Sequence, residues 1–233
     1  MDKREQTIKS MFSEIAGSYD KANSVLSLGI HHVWKQKLVK LSGAAEGNKV
    51  LDCASGTGDL ALLFKKAVGQ KGSVVATDFC KEMLDLAPEK AKRQNLDISF
   101  QLADVSQLPF EDNQFNVASI SFGIRNVEER TKGLKEMARV TASGGAVMIL
   151  EFGQIETPVI KPLYNLYSQK VLPFLGGLVS GKPKAYQYLN DSSQVFPCGQ
   201  DFADEIMATG SYEKVEFWPL SCGIAYIYKC TVR

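Results

Sequence analysis

VLDCASGTGD, residues 50–59, is a short apolar run that breaks into two glycines and ends on an aspartate. Glycine is favoured where the backbone takes positive φ, or where another atom must come closer than a Cβ allows. Gly56 and Gly58 suit both needs. Lys49 to Cys53 reads as a buried strand, and Leu60, Ala61, Leu62, Leu63 and Phe64 read as the buried face of a helix. Strand, glycine turn and helix make a ligand-binding corner, because the free N–H groups and positive dipole end of the helix face whatever lies over the turn. Asp59 is expected to cap that helix.

Outward from this corner, strand-like runs at Lys49 to Cys53, Ser73 to Asp78, Ile98 to Leu102, Phe115 to Ser121 and Ala146 to Glu151 alternate with helical stretches such as Lys81 to Gln94 and Glu128 to Val140. That rhythm predicts an α/β fold, a mostly parallel sheet with helices on both faces, which binds ligands at the carboxyl ends of its strands. Thr7 to Tyr19 and Val33 to Leu41 read as helices over that edge, and Lys214 to Leu220 with Gly223 to Thr231 as a closing strand pair joined by a tight turn.

With 233 residues, 45% hydrophobic and 23% charged, the chain has the composition of one globular domain, 1–233. Its expected parts are a helical cap (1–45), a cofactor-binding core (46–153), an inserted helical segment (154–198), and a C-terminal helix with the closing strand pair (199–233). A net charge of +1, from 27 basic and 26 acidic residues, supplies no field that would recruit nucleic acid. MDKREQTIKS at the start has no apolar h-region and no stretch reads as an uncharged span, so a cytoplasmic protein is expected. Five cysteines without a CxxC pair argue against both a zinc site and a disulfide framework, and the expected metal content is none.

The turn lacks the lysine and hydroxyl pair of a P-loop. Gly56, Gly58 and Ala61 fit GxGxx[GA], and Asp78 closes the next strand about twenty residues on, where a carboxylate can accept both ribose hydroxyls. A nicotinamide dinucleotide and S-adenosyl-L-methionine satisfy this pattern equally, and Asp78 also reads as a helix N-cap before Lys81. Two features favour the second cofactor. Leu102-Ala103-Asp104-Val105 comes at the end of the third strand-like run, so Asp104 reaches the same rim, where it can accept from an adenine amino group. No basic residue stands in the turn or directly after the second strand to meet a phosphate, whereas the carboxylate, ammonium and sulfonium of S-adenosyl-L-methionine suit a helix N-terminus with Asp52 and Asp59 nearby.

VLDCASGTGDLAL, ADVSQLPF, SFGIRNV, MILEF and YQYLNDS, with SLGIHHVW before them and CGIAYIYK after, resemble in order and spacing the UbiE/COQ5/MenG family of quinone-biosynthesis C-methyltransferases. The resemblance covers nearly the whole chain, and SFGIRNV followed by MILEF is far more specific than the glycine turn. It implies a class I S-adenosylmethionine-dependent methyltransferase with a Rossmann-like, seven-stranded sheet. The implied reaction is ring-carbon methylation of a polyprenyl quinol, either demethylmenaquinol or the 2-methoxy-6-polyprenyl benzoquinol of ubiquinone synthesis. Cofactor contacts carry over onto Thr57, Asp78, Asp104, Val105 and Ser121. Ser55 departs from the alanine or glycine of many relatives. A nicotinamide-dependent dehydrogenase and a non-catalytic cofactor-binding partner protein are the competing readings.

Carbon methylation needs a ring hydroxyl to lose its proton and a positioned cation for the resulting phenolate. Arg125, just beyond the fourth strand, is the expected cation, with an ion pair to Glu128, Glu129 or Glu151 as its alternative role. His31 and Tyr19 are the candidates for handling the proton, each readable instead as a packing or capping group. Residues 159–184 carry Leu163, Tyr164, Leu166, Tyr167, Val171, Leu172, Phe174 and Leu175 with lysines at the margins, interrupted by Pro162 and Pro173. The expected roles of this stretch are a lid for the polyprenyl tail, a peripheral membrane contact, or a homodimer contact.

Overall fold

The computed structural model describes residues 5–155 and 181–233. Most of the stretch 159–184, with the lid and contact roles expected of it, therefore lies outside the described residues. Strand β1 (Lys49–Cys53) sits in mid-sheet, with four of its five residues buried because both faces are covered. It is followed by α4 (Asp59–Val68), β2 (Ser73–Asp78), α5 (Lys81–Leu84), α6 (Ala87–Arg93) and β3 (Ser99–Leu102). The chain then crosses to the other side of β1 for β4 (Phe115–Ser121), α7 (Arg130–Val140) and β5 (Thr141–Phe152). After α8 (Pro183–Val195) and α9 (Gln200–Ala208), the strands β6 (Tyr212–Leu220) and β7 (Ala225–Val232) close the edge.

The sheet order is β3-β2-β1-β4-β5-β7-β6. β1 runs parallel to both β2 and β4, with Asp52 beside Ala76 on one side and Ser119 on the other, while β7 is antiparallel to β5 and β6. The connection order reverses between β1 and β4, so the carboxyl ends of these two strands flank a crevice. Side-chain alternation divides the core in two: Leu51, Val147 and Ile149 join α7 and α9 residues such as Met137 and Phe202 on one face, whereas Val50, Met148 and Leu150 join Trp34, Leu60 and Phe64 on the other. Above the crevice, α1 (Glu5–Ile15), α2 (Tyr19–Leu26) and α3 (Ile30–Ser42) form the cap. There Ile8, Phe12, Ile15 and Ala22 make a third cluster with Met83 and with Tyr186 of α8.

Some local expectations change. The helix expected over 81–94 divides in two, because Pro88 stands in the first turn of α6, where its missing N–H leaves no bond unmade. The helix expected over 7–19 stops at Ile15, passes through a 3₁₀ turn at Ala16–Ser18 and restarts as α2. Among the described residues no helix is long and apolar enough to cross a membrane. No cysteine is in a disulfide, and Cys53, Cys80 and Cys230 are buried whereas Cys222 is exposed.

Gly58 shows why the turn is bare. Its φ is +83°, and a Cβ there would lie 2.9 Å from the Cβ of Ala87 at the head of α6. Gly58→Ala is expected to lower Tm by roughly 3 to 8 °C, from a left-handed backbone penalty of about 1–2 kcal/mol plus that contact. A melt within about 1 °C of wild type would show that the turn absorbs a side chain freely.

Candidate active site

β1 delivers Asp52 to the crevice, and the chain then turns through Ala54, Gly56 and Gly58, all at positive φ. The Gly56 N–H donates to Asp78 Oδ2 at 2.7 Å, and Asp78 Oδ1 accepts the Cys80 N–H at 2.8 Å. One carboxylate at the end of β2 thus holds the glycine turn and the start of α5 together. Burial lifts the Asp78 carboxyl to about 6 despite these amide donors.

Two cavities adjoin this turn. The first, of about 370 Å³, is lined by Gly56, Asp78, Phe79, Met83, Asp104 and Val105 among others. The second, of about 510 Å³, is lined by Asp52, Thr57, His31, Trp34, Arg125 and Phe152 among others. Tyr19, Ala54, Gly56, Ser121 and Phe122 belong to both, so the cavities meet over the turn. Of the residues expected to bind cofactor or act in catalysis, Gly58 and Asp59 line neither.

Asp59 requires correction as the helix cap. Gly58 occupies the N-cap position of α4 and no side chain caps it. The Asp59 carboxylate instead accepts from Lys90 Nζ at 2.5 Å and Lys35 Nζ at 3.2 Å. Burial opposes its ionisation, yet the two ammonium groups outweigh burial and hold the carboxyl down to about 2. Lys90 also donates to Asp20 Oδ2 at 2.7 Å and to Thr57 Oγ1 at 3.0 Å, while the Thr57 hydroxyl donates to Asp20 Oδ1 at 2.5 Å. Asp59 therefore anchors the cap through Lys35 and Lys90. His31, His32 and Asp59 each place one ligand atom within 4.8 Å of the others, but a carboxylate already held by two lysines is a poor seat for a divalent cation.

Asp52 is 1% exposed; Oδ1 accepts from Ser119 Oγ at 2.8 Å and Oδ2 has no hydrogen-bond partner. Burial pushes its carboxyl up to about 7. Ser55 Oγ and Ser121 Oγ are likewise buried and unpartnered. A ligand with an ammonium group for Asp52, hydroxyls for Asp78 and no phosphate would satisfy these atoms, and S-adenosyl-L-methionine has that composition. Asp104 accepts the Ser106 N–H at 2.9 Å and also bonds the Ser106 hydroxyl, which fixes it on the wall of the first cavity.

Arg125, 2% exposed, donates from Nη1 to Glu151 Oε1 at 2.6 Å and to Phe122 O at 2.8 Å, and from Nε to Ser192 Oγ at 3.3 Å. Its guanidinium lies 5.3 Å from the Phe152 ring centre. Glu151 is thus the partner, as one of the three acids considered, and Arg125 still lines the second cavity. Nη2 makes no hydrogen bond to a described residue, leaving an amino group for a ligand oxygen. His31 is 5% exposed, and its Nδ1 lies 2.6 Å from Ser27 Oγ. The Ser27 hydroxyl also lies 2.7 Å from Asn23 O, an acceptor, and donation there is compatible with the tautomer that carries the proton on Nδ1 and the lone pair on Nε2. Burial, with Lys35 and His32 adding repulsion, lowers the imidazole to about 4, and it is neutral at ordinary pH. Burial also raises the Tyr19 hydroxyl, which stays protonated and can donate.

Sequence reading passed over Ser119, Ser192 and Lys90. Ser119 carries a faint signal, two positions before Ser121 and so on the same face of β4. Ser192 ends the YQYLNDS stretch of the family resemblance, though nothing in that stretch names Arg125 as its partner, and Lys90 carries no signal, since only the tertiary fold brings it to its partners.

Residues 1–231 match the ubiE/COQ5 methyltransferase family. Two similar relatives share the name ubiquinone/menaquinone biosynthesis C-methyltransferase UbiE. That of Bdellovibrio bacteriovorus is 59% identical over 98% of this chain and 97% of its own, and that of Laribacter hongkongensis is 38% identical over 98% and 93%. Among solved structures, a SAM-dependent methyltransferase of Thermotoga maritima, described as a possible histamine N-methyltransferase, superposes with a TM-score of 0.68 at 15% identity over 97% of this chain and all of that one. A SAM-dependent methyltransferase described from Methanococcus maripaludis gives 0.64 at 17% identity over 93% of each chain. These structural likenesses establish the class I methyltransferase fold with its mixed sheet, and the chain belongs to the ubiE/COQ5 methyltransferase family.

Proposed function

We propose that the protein methylates a ring carbon of a polyprenyl quinol, as the names of its relatives in ubiquinone and menaquinone biosynthesis indicate. The observation that carries this reading is the meeting of two unlike cavities over Gly56 and Ser121, one walled by Asp78 and Asp104, the other apolar but holding Arg125 and His31. S-adenosyl-L-methionine, the cofactor of this enzyme, supplies a methyl group on a sulfonium when bound. Asp78 would hold the ribose, Asp104 and Val105 the adenine end, and Asp52 with Thr57 and Ser121 the amino-acid end.

Trp34, Leu60 and Phe152 would grip the quinol ring and exclude water. Arg125 Nη2 would donate to the ring hydroxyl that becomes a phenolate, so negative charge develops against a fixed cation. His31, which lines the same cavity, would receive the hydroxyl proton on Nε2. With that oxygen ionised, the ortho carbon would take the methyl and then lose its own proton to water, while His31 returns the hydroxyl proton to the oxygen and the aromatic quinol is restored. Tyr19, at the junction of the two cavities, would donate to the quinol or to a water between the sites. The prenyl tail would reach the enzyme from a bilayer. The deciding experiment is single-turnover methyl transfer to reduced short-tail naphthoquinol and benzoquinol in parallel; failure with both would sink this reading.

Ribose hydroxyls donate more strongly to an ionised Asp78 than to its neutral acid, so cofactor affinity should hold steady above pH about 7. Below about 6 it should weaken by up to tenfold per pH unit as the carboxyl protonates. Asp78→Asn should raise Kd at least tenfold at pH 8 and flatten that acid limb. Titration calorimetry giving the same pH dependence in the variant would assign the limb to another group.

Arg125→Ala would leave Glu151 buried and unpaired, costing about 3–5 kcal/mol, so turnover of that variant confuses folding with catalysis. Arg125→Lys separates them. It keeps a cation for Glu151 but lacks the second amino group, and should lose roughly 10- to 100-fold in single-turnover rate with the cofactor Kd within about twofold of wild type. Near-normal turnover would make Arg125 a structural partner of Glu151 only. His31→Gln, judged by the same assay, should lose about 10²-fold in rate without a change in Tm; an undiminished rate would remove His31 from the proton path.

A further inference from the structure

Between Asp20 and Glu46 the chain has no acidic residue, and it carries Lys21, Lys35, Lys37 and Lys40 there. This is the span that forms α2, the turn after it, and α3. Its outward side is not that of an ordinary solvated helix pair. Leu28 at the tip of the turn is 89% exposed, Val33 60%, Ile30 40% and Val25 39%. Together they are half of the large exposed hydrophobic side chains among the described residues.

Helical spacing gathers these groups. In α3, Ile30, Val33, Lys37 and Lys40 recur at intervals of three, four and three, on one face, and in α2 Lys21 stands four residues before Val25. Lys21, Lys37 and Lys40 are exposed, and no acidic side chain pairs with them among the described residues. Lys35 points the other way, onto Asp59. The apolar tip is also continuous with the substrate side of the enzyme, because Leu28 and Ile30 line the second cavity while remaining exposed outside. They form its rim.

We propose that this α2–α3 face docks on an anionic phospholipid bilayer, with Leu28, Ile30 and Val33 entering the headgroup boundary, Lys21, Lys37 and Lys40 meeting lipid phosphates, and the mouth of the second cavity opening onto the membrane. Apolar tip, basic margin and missing acids are the features of a segment that lies in the interface without spanning it. The docking gives a prenyl chain a route from lipid into the cavity without crossing water, and in this respect it rests on the quinol reading above.

The test is co-sedimentation of the full chain with phosphatidylglycerol–phosphatidylcholine vesicles, against vesicles of phosphatidylcholine alone. Wild type should bind the anionic vesicles and lose most of that binding as salt rises from about 0.05 to 0.3 M. Val33→Glu, at an exposed position outside the cavity, should bind at least about tenfold less. Lys37→Gln combined with Lys40→Gln should bind roughly tenfold less. All should melt as wild type does and methylate a water-soluble short-tail quinol at the wild-type rate. Equal binding to neutral vesicles, or undiminished binding by both variants, would overturn the proposal. So would sedimentation velocity showing a dimer that Val33→Glu dissociates, since the face would then belong to a second copy. Vesicle binding is read without substrate, so failure of short-tail turnover would count against the quinol reading and leave the docking result standing.

Discussion

The hydrogen bond from Gly56 N–H to Asp78 Oδ2 joins the two halves of the cofactor side. It ties the positive-φ turn after β1 to the end of β2 across parallel strands that are already in register, Asp52 beside Ala76. A backbone amide aimed at a buried carboxylate is a charge-assisted bond, stronger than a neutral one. It also limits what the turn can be. Gly56 must present its N–H at positive φ, and Gly58 must pass the Ala87 methyl without a Cβ. The same carboxylate that holds the protein together is the one placed to accept a ligand hydroxyl, so the cradle and its ligand contact are inseparable.

Arg125 illustrates a second economy of parts. A buried Arg–Glu pair is weak evidence for stability, because desolvation of both ions offsets most of their attraction. What this pair does is fix direction. Glu151 accepts from Nη1 and from the Arg125 N–H at 3.3 Å, Phe122 O takes a second Nη1 proton, and Ser192 holds Nε. With Nε and Nη1 both committed, Nη2 is the nitrogen that keeps its donors, on a residue that lines the second cavity. The cation and ion-pair roles weighed from sequence are therefore compatible, since the ion pair is what orients the cation.

β1, β2 and β4 begin and end where the apolar pattern puts them, because each is buried on both faces and stops at a polar or glycine residue. β5 runs from Thr141, earlier than the expected Ala146, since the stretch SGG reads as a loop although a bulged register with β4 continues through it. α2 was illegible for a similar reason: YDKANSVL is polar along most of its length, and its packing on the cap decides its state. In the site, Asp78 and Asp104 were legible because a strand end is a fixed place in this fold. Whether a carboxylate faces a ligand or a lysine was not, and Asp59 shows the difference. Its position at the start of α4 suits a cap, but Lys35 and Lys90 arrive from α3 and α6, far away in sequence.

Those lysines also explain how the cap keeps its place over the crevice. Lys90 brings together Asp20 of α2, Thr57 of the turn and Asp59 of α4 with one ammonium group. The Lys90 and Asp20 side chains are 26% and 44% exposed, so their pair taken alone stabilises the fold little. Geometry gives it weight. Three acceptors on three separate elements must converge on a single point, and moving α2 breaks two of the contacts at once. Tyr19 begins α2, beside Asp20, and forms part of both cavity walls. The position of an aromatic wall shared by the two cavities is thus tied to the charge cluster of Lys90, Asp20 and Asp59. Within the cap, α3 is fixed by Trp34 and Leu38 in the main core, whereas α1 and α2 rest on one smaller apolar cluster and the Asp20 contacts, and so open at lower cost than the sheet beneath them.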